Sequence, residues 1–290
     1  MTEDIAQVPR FGSCRSATPD GSTHEMQWTE WGREDHPHVV VCAHGLTRNG
    51  RDFDFLAKRL AKSCRVICPD YPGRGQSPNL TDPQYYAIEQ YAKDSQAMVS
   101  TLKYEQLDWV GTSMGGLIGM TLVASLTNPI TKMILNDVGA FIPRQSMIDL
   151  ADDLSIHPHF ESMEEAYDYF REAYAGFGRL DDHHYIHMAE HGVWPSPDGP
   201  GYVLARDPAI IDQFAALPSA DIDLWWIWEM IKIPVLIIRG EESGLLLPET
   251  VRKMQELHSG AAAVEFSACG HAPSLMVDDQ IEAVAHWLGL

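Results

Sequence analysis

Three observations predict an α/β fold: a mostly parallel β-sheet flanked by helices, with a helical cap inserted into it. Short, nearly unbroken apolar runs alternate with helix-length segments along most of the chain. Apolar continuity is how strands buried on both faces read, and their alternation with helices implies parallel strands joined by crossovers. The alternation stops between Asp137 and Ile233, where helical, polar and aromatic sequence takes over. That stretch also differs in charge. Residues 141–229 hold 17 acidic and 4 basic side chains, a net −13, whereas the other 201 residues carry a net −7.

The elements can be justified in order. Two β-like runs flank Pro19-Asp20-Gly21, a turn signal that predicts an N-terminal hairpin. Strands are then expected at residues 39–45, 66–70, 107–111 and 133–137, and beyond the interruption at 235–240 and 264–267. Helices are expected at residues 52–61, 86–102, 114–126, 248–257 and 278–288, with Pro248 in a first helical turn, where its missing N–H costs nothing. Breaks at Pro143, Pro158, Trp194–Gly201 and Pro218 divide the interrupting segment. The expected organisation is a sheet core of residues 1–140 and 230–290 with an acidic helical cap of residues 141–229.

The chain has 290 residues, long enough for two domains or for one domain with a large insertion. A hydrophobic fraction of 45% with 21% charged residues supplies a sizeable core. The net charge of −20 argues against nucleic acid and against anionic membrane surfaces, both of which recruit cations. No apolar stretch is long enough to span a bilayer. The first residues, Met1 to Gln7, lack the basic start and apolar stretch of a signal peptide. Five scattered cysteines, Cys14, Cys42, Cys64, Cys68 and Cys269, are odd in number and read as reduced thiols in a cytoplasmic protein.

The sharpest motif is Gly111-Thr112-Ser113-Met114-Gly115-Gly116, between an expected strand and an expected helix. G-x-S-x-G in that context is a nucleophile elbow: the glycines allow a tight turn, and the helix N-terminus favours developing negative charge. After an earlier strand comes His44-Gly45-Leu46-Thr47-Arg48-Asn49, whose Leu46 N–H is expected to join the Met114 N–H in an oxyanion hole. Cys269-Gly270-His271-Ala272-Pro273 follows the last strand and offers His271 as general base.

With these residues in place, the chain resembles the α/β-hydrolase superfamily over nearly its whole length. It is most similar to the capped bacterial hydrolases that include esterases, lactonases and C–C bond hydrolases. The matching stretches are His44-Gly45-Leu46-Thr47-Arg48, Asp70-Tyr71-Pro72-Gly73-Arg74-Gly75-Gln76-Ser77, the Ser113 elbow, Asp223-Leu224-Trp225 with Pro234-Val235-Leu236, and Gly270-His271-Ala272-Pro273. Gly73-Arg74-Gly75 is not a phosphate loop, since it does not open a helix after the first strand of a βαβ unit. The resemblance implies a loop at the mouth of the site there. It also implies a triad aspartate after the strand ending at Gly240, and similar chains read Ser-Asp where this one has Ser243-Gly244. Three readings follow. Asp137, at the end of the strand beside the nucleophile strand, is preferred as the acid. Glu241 or Glu242 reaching His271 from the usual strand is the second, and a relict triad in a ligand-binding protein is the third. Ser113 argues against the aspartate-nucleophile chemistry of the superfamily's dehalogenases and epoxide hydrolases.

The expected activity is hydrolysis of a small-molecule carboxylic ester or lactone without cofactor or metal, through an acyl-enzyme at Ser113. C–C bond hydrolysis or perhydrolase activity on the same residues is the alternative. His183, His187 and His191 share one helical face beside His184, Asp181 and Asp182; solvent-facing decoration of the cap is the expectation over a metal site. Trp225, Trp226 and Trp228 are expected to pack against the core or contribute to an apolar pocket, and Cys64 and Cys68 to be structural. The acidic cap predicts a neutral or cationic substrate. Oligomeric state is left open.

Overall fold

The computed structural model describes residues 8–215 and 220–290; Pro218 and residues Met1 to Gln7 lie outside that description. The chain begins with the expected hairpin. Strands β1 (Arg10–Ala17) and β2 (Thr23–Trp31) pair antiparallel, and the Asp20 carboxylate between them accepts from the Ser22 N–H and from the Thr18 and Ser22 hydroxyls. Alternation then sets in: β3 (His38–Ala43), α1 (Asp54–Leu60), β4 (Arg65–Asp70), α2 (Ile88–Thr101), β5 (Gln106–Thr112), α3 (Met114–Val123) and β6 (Lys132–Asn136).

Between β6 and the next sheet strand the chain builds β7 (Phe141–Ile142), α4 (Arg144–Leu154), β8 (His159–Phe160), α5 (Met163–Ala173) and α6 (Asp182–Gly192). It continues through β9 (Val193–Pro195), β10 (Tyr202–Leu204), α7 (Ala209–Ala215), β11 (Ile222–Asp223) and α8 (Trp225–Met230). This segment is not purely helical as expected: β8-β10-β9 form a three-stranded sheet, and β11 pairs with β7. Strands of two or three residues are too short to leave an alternating pattern. The core resumes with β12 (Val235–Gly240), α9 (Pro248–Leu257), β13 (Ala261–Phe266) and α10 (Asp278–Leu288).

The main sheet has the order β1-β2-β4-β3-β5-β6-β12-β13, and within it only β2 runs against the rest. Every residue of β4 and β12 is buried, as are all of β3 but its first. Each fully buried Val or Ile there contributes about 1.5–3 kcal/mol relative to exposure. Leu56 and Leu60 of α1 and Ile281, Val284 and Leu288 of α10 cover one face. Side chains of α2, α3, α8 and α9, among them Met98, Ile118, Trp228 and Met254, cover the other. β13 departs from the expectation of a doubly buried strand: it is the edge strand, and Ala262, Ala263 and Glu265 are exposed. This layout brings the C-terminal ends of β3, β5, β6 and β12 together, the place where open α/β sheets bind ligands.

Candidate active site

Ser113 stands between the end of β5 and the first turn of α3 with φ +50° and ψ −113°, the strained backbone of a sharp strand-to-helix turn. The turn requires its glycines. A Cβ on Gly111 would lie 2.4 Å from the Gly115 carbonyl carbon, and one on Gly115 would lie 2.1 Å from the Ala43 carbonyl oxygen. Trp109 Nε1 donates to the Gly115 carbonyl at 2.9 Å, and the Ser113 N–H donates to Asn136 O at 2.9 Å, tying the elbow to its own strand and to β6.

His271 bridges Ser113 and Asp137. Its Nε2 is 3.0 Å from Ser113 Oγ and its Nδ1 is 2.7 Å from Asp137 Oδ2. With Nδ1–H donated to the carboxylate, Nε2 is left to accept the serine proton. Asp137 is fully buried just past β6, at φ +55°. Its Oδ1 accepts the Gly240 N–H at 3.0 Å, and its Oδ2 also accepts from Ser243 Oγ at 2.6 Å. The carboxylate thus comes from β6, while the end of β12 supplies its donors.

Of the three sequence readings of the acid, the structure brings Asp137 to His271 and leaves the glutamates away. Glu241 and Glu242 are exposed, and Glu241 Oε2 accepts only weakly from the Ala268 N–H, at 3.4 Å. A Cβ on Gly244 would meet open space. The role of Ser243 escaped the sequence reading, since a lone serine beside a missing acid has no motif of its own. The Gly240 N–H escaped it too, being backbone.

Met114 follows Ser113 in the chain, and Leu46 lines the cavity over it. Met114 is the first residue of α3, so its N–H has no intrahelical acceptor. The Leu46 N–H is oriented from behind by His44. This ring is 1% exposed; its Nδ1–H donates to Gly45 O at 2.6 Å, and its Nε2 accepts the Tyr71 N–H at 3.0 Å. Burial first, and then the Arg74 cation, push the His44 pKa down to about 3, which keeps the ring neutral for that arrangement. A trans peptide sets its C=O and N–H in opposite directions, so holding Gly45 O turns the Leu46 N–H away from His44. Gly73-Arg74-Gly75 corrects the expectation of a loop at the mouth of the site: Arg74 is fully buried behind Leu46 and does not line the cavity.

The cavity over Ser113 measures about 700 Å³. Its walls include Leu150, Leu154, Ile156, Tyr169, Phe177 and Met276, most of them from the inserted segment. Charged lining residues are Arg48, Asp52, Asp153 and Glu172. Arg48 is bonded to Asp52 through Nε at 2.8 Å and Nη2 at 2.5 Å, and it lies 5.0 Å and 4.8 Å from the Phe170 and Tyr174 ring centres. Asp153 and Glu172 are exposed, so the lining keeps a net negative charge.

The histidine face of α6 corrects another expectation. It faces solvent only in part: His183 stays exposed, yet the His183, His184 and His187 rings pack around Phe55 at 5.8, 4.9 and 5.0 Å, joining the insert to the core. Asp54, His187 and His191 could converge on an ion, yet Arg51 already binds the Asp54 carboxylate through Nε and Nη2. A guanidinium in that position does not suit a dication. Asp181 and His184 are engaged with each other in the N-terminal cap of α6. Among the tryptophans, Trp228 is buried with Nε1 donating to Met254 O at 3.0 Å, Trp225 lies under the Lys253 ammonium, and Trp226 is 62% exposed. None of the three lines the cavity, so the pocket role considered for them is not realised.

The alpha/beta hydrolase fold model matches residues 38–182. Over 284 residues the chain is 38% identical to the 3-hydroxybutyrate-oligomer hydrolase of Cupriavidus necator, covering 96% of this chain and 97% of that protein. The chain belongs to the α/β-hydrolase family. A Rickettsia typhi chain of known structure superposes on this α/β-hydrolase with a TM-score of 0.89 at 33% identity, covering 97% of this chain and 99% of that one. The pimeloyl-[acyl-carrier protein] methyl ester esterase of Neisseria meningitidis is 26% identical over 245 residues, 81% of this chain and 87% of its own. The family membership and these relatives make the chain a hydrolytic enzyme of the esterase-like kind. No helix among the described residues is long and apolar enough to cross a membrane.

Proposed function

We propose that this α/β-hydrolase is a serine esterase that cleaves a short aliphatic ester or lactone through an acyl-enzyme on Ser113. The observation that carries the reading is the continuous relay from Ser113 Oγ through His271 to Asp137, at 3.0 and 2.7 Å, opening into a largely apolar cavity. Ser113 Oγ attacks the carbonyl carbon as His271 Nε2 takes its proton, and the Leu46 and Met114 N–H groups receive the oxyanion. Collapse of the tetrahedral species expels the alcohol, protonated by His271. Water, deprotonated by the same ring, then releases the acid. Asp137 orients His271 and stabilises its charged form. The buried, well-bonded Asp137 favours a working relay over a relict one. C–C bond hydrolysis and perhydrolysis call on the same three side chains and have no observation of their own in this site.

The Cupriavidus relative extends the reading to short oligoesters of 3-hydroxy acids, whose methyl-branched aliphatic units suit the Leu150, Leu154 and Ile156 wall. With Arg48 neutralised by Asp52, and Asp153 and Glu172 open to solvent, an uncharged chain end is favoured over a carboxylate. A reducing, cytoplasmic setting belongs to the same reading and is supported by five free thiols, four of them buried.

The test is turnover of a p-nitrophenyl ester series, and of 3-hydroxybutyrate dimer beside its methyl ester, by wild type and Ser113→Ala. Ser113-dependent turnover is expected in both sets, with the methyl ester preferred at low salt and the preference shrinking as salt rises. Wild type no faster than Ser113→Ala across all substrates would sink the esterase reading. A free-acid dimer that outpaces its methyl ester, and loses that lead in salt, would sink the charge preference alone.

A further inference from the structure

The cation behind the oxyanion loop has no place in the mechanism above. Arg74 is fully buried, and its hydrogen-bond partners are neutral. Nη1 donates to Pro72 O at 2.9 Å and to Tyr91 Oη at 2.7 Å. Nε donates to Leu46 O at 2.9 Å, and Nη2 points at Met114 Sδ at 3.5 Å. The Tyr91 and Tyr86 ring centres lie 4.9 and 5.8 Å from its central carbon. Among the described residues no carboxylate forms an ion pair with it.

Two features of this arrangement are unusual together. A guanidinium withdrawn from water is ordinarily matched by a carboxylate, because an uncompensated buried charge is costly. Here the one group reaches both residues whose N–H groups are assigned to the oxyanion hole. Those residues come from different parts of the chain, Leu46 from the loop after β3 and Met114 from the start of α3. Pairing of β3 with β5 and the approach of Gly115 to Ala43 set the two segments side by side, and a rigid planar fork reaching Leu46 O and Met114 Sδ braces the loop on that frame. Carbonyl, phenol and thioether acceptors do not cancel its charge. The Asp207 carboxylate reaches this pocket only through the Tyr86 hydroxyl, which donates to it at 2.6 Å, and the charge that develops on the substrate oxygen, on the far side of the loop, adds a second complement. Such an interaction strengthens from ground state to transition state and therefore acts on the chemical step.

We propose that Arg74 is a positioning residue of the oxyanion hole, bracing Leu46 against Met114 and lending an unpaired positive charge to the tetrahedral intermediate. This rests on the assignment of Leu46 and Met114 as the oxyanion donors.

The experiment compares wild type with Arg74→Met, Arg74→Lys and Tyr91→Phe. For each we would measure kcat and KM on a p-nitrophenyl ester, the inhibition constant of an alkyl boronic acid, and the active fraction by end-point fluorophosphonate titration. The boronate forms an anionic tetrahedral adduct on the serine, so it reports on the hole and not on folding. Arg74→Met is expected to lower kcat per active site by about 10- to 100-fold, less than the effect of deleting a direct donor, with KM within about threefold. The inhibition constant should rise in the same proportion. Arg74→Lys, which keeps the charge and loses the fork, should fall between, and Tyr91→Phe should show a small loss on the same line. If Arg74→Met does not fold, the Lys and Phe variants still define that line. Losses confined to active fraction or thermal stability, with kcat per site and boronate affinity unchanged, would overturn the proposal. Wild type lacking Ser113-dependent turnover would instead overturn the esterase reading beneath it.

Discussion

Asp137 leaves β6 in a backbone conformation that few side chains adopt, and it is held there by donors from a neighbouring strand. The carboxylate is therefore pinned in one position relative to His271, and its role can be tested by isosteric change. Asp137→Asn should cut kcat by about ten-thousandfold with little change in KM, because the amide favours the wrong imidazole tautomer. Glu241→Gln and Glu242→Gln should remain close to wild type in the same assay. Ser243→Ala removes one charge-assisted donor from the carboxylate and should cost about tenfold in kcat/KM. At this scale the motif residues were legible: Ser113, His271, Leu46 and Met114 all stand in strand-end or helix-start contexts that their neighbours announce. The acid was only ranked, Asp137 ahead of Glu241 and Glu242, since Gly244 leaves several carboxylates near the end of the sheet and sequence distance does not say which one faces His271.

At the scale of elements, the elbow depends on how closely α3 approaches β3. The Gly115 Cα sits against the Ala43 carbonyl with no room for a methyl group. Gly115→Ala should lower unfolding free energy by about 1–3 kcal/mol in denaturant titrations. It should also lose activity beyond what the lower stability explains, because relieving the clash shifts Met114 and Ser113 together. The helices α9 and α10 begin and end where Pro248 and the periodicity of residues 278–288 place them, and the parallel strands follow from their apolar runs. What the elements hid was their neighbours. β13 carries a strand's composition but lies at an edge, and the small sheets of the insert draw their stability from pairing rather than from any pattern of their own.

For the whole molecule, burial of uncharged imidazoles makes stability fall in acid. His44 and His191 are both pushed down to about 3, chiefly by burial, with the Arg74 and Arg51 cations adding to it. In the unfolded chain they protonate near 6.5, so their contribution is complete above that pH and is lost progressively as pH falls toward 3. Asp70 opposes them: burial raises it from 3.8 to about 6, so the folded state holds an extra proton between those values. Two histidines outweigh one carboxylate, and His184, also lowered by burial, adds to them, so at least about one net proton is taken up on unfolding. The expected slope is about 1.4 kcal/mol per pH unit between roughly pH 5.5 and 4, read from urea midpoints across that range. Since His191 sits where α6 meets the core, the insert should loosen first, visible as faster amide exchange in α6 than in β3 at pH 5.

The sequence by itself determined the sheet and the interruption that carries the insert, and it singled out the proposed nucleophile and general base. Each of these rests on local signals: apolar periodicity, turn-forming glycines, and a reactive side chain next to the end of a strand. Only the tertiary structure decided that Asp137 faces His271, that the α6 histidines dock on Phe55, and that Arg74 lies behind the Leu46 loop with no ion-pair partner among the described residues. Those relations join residues far apart in the chain, and they depend on strand order and on which side chains find partners after burial, neither of which any single stretch of sequence encodes.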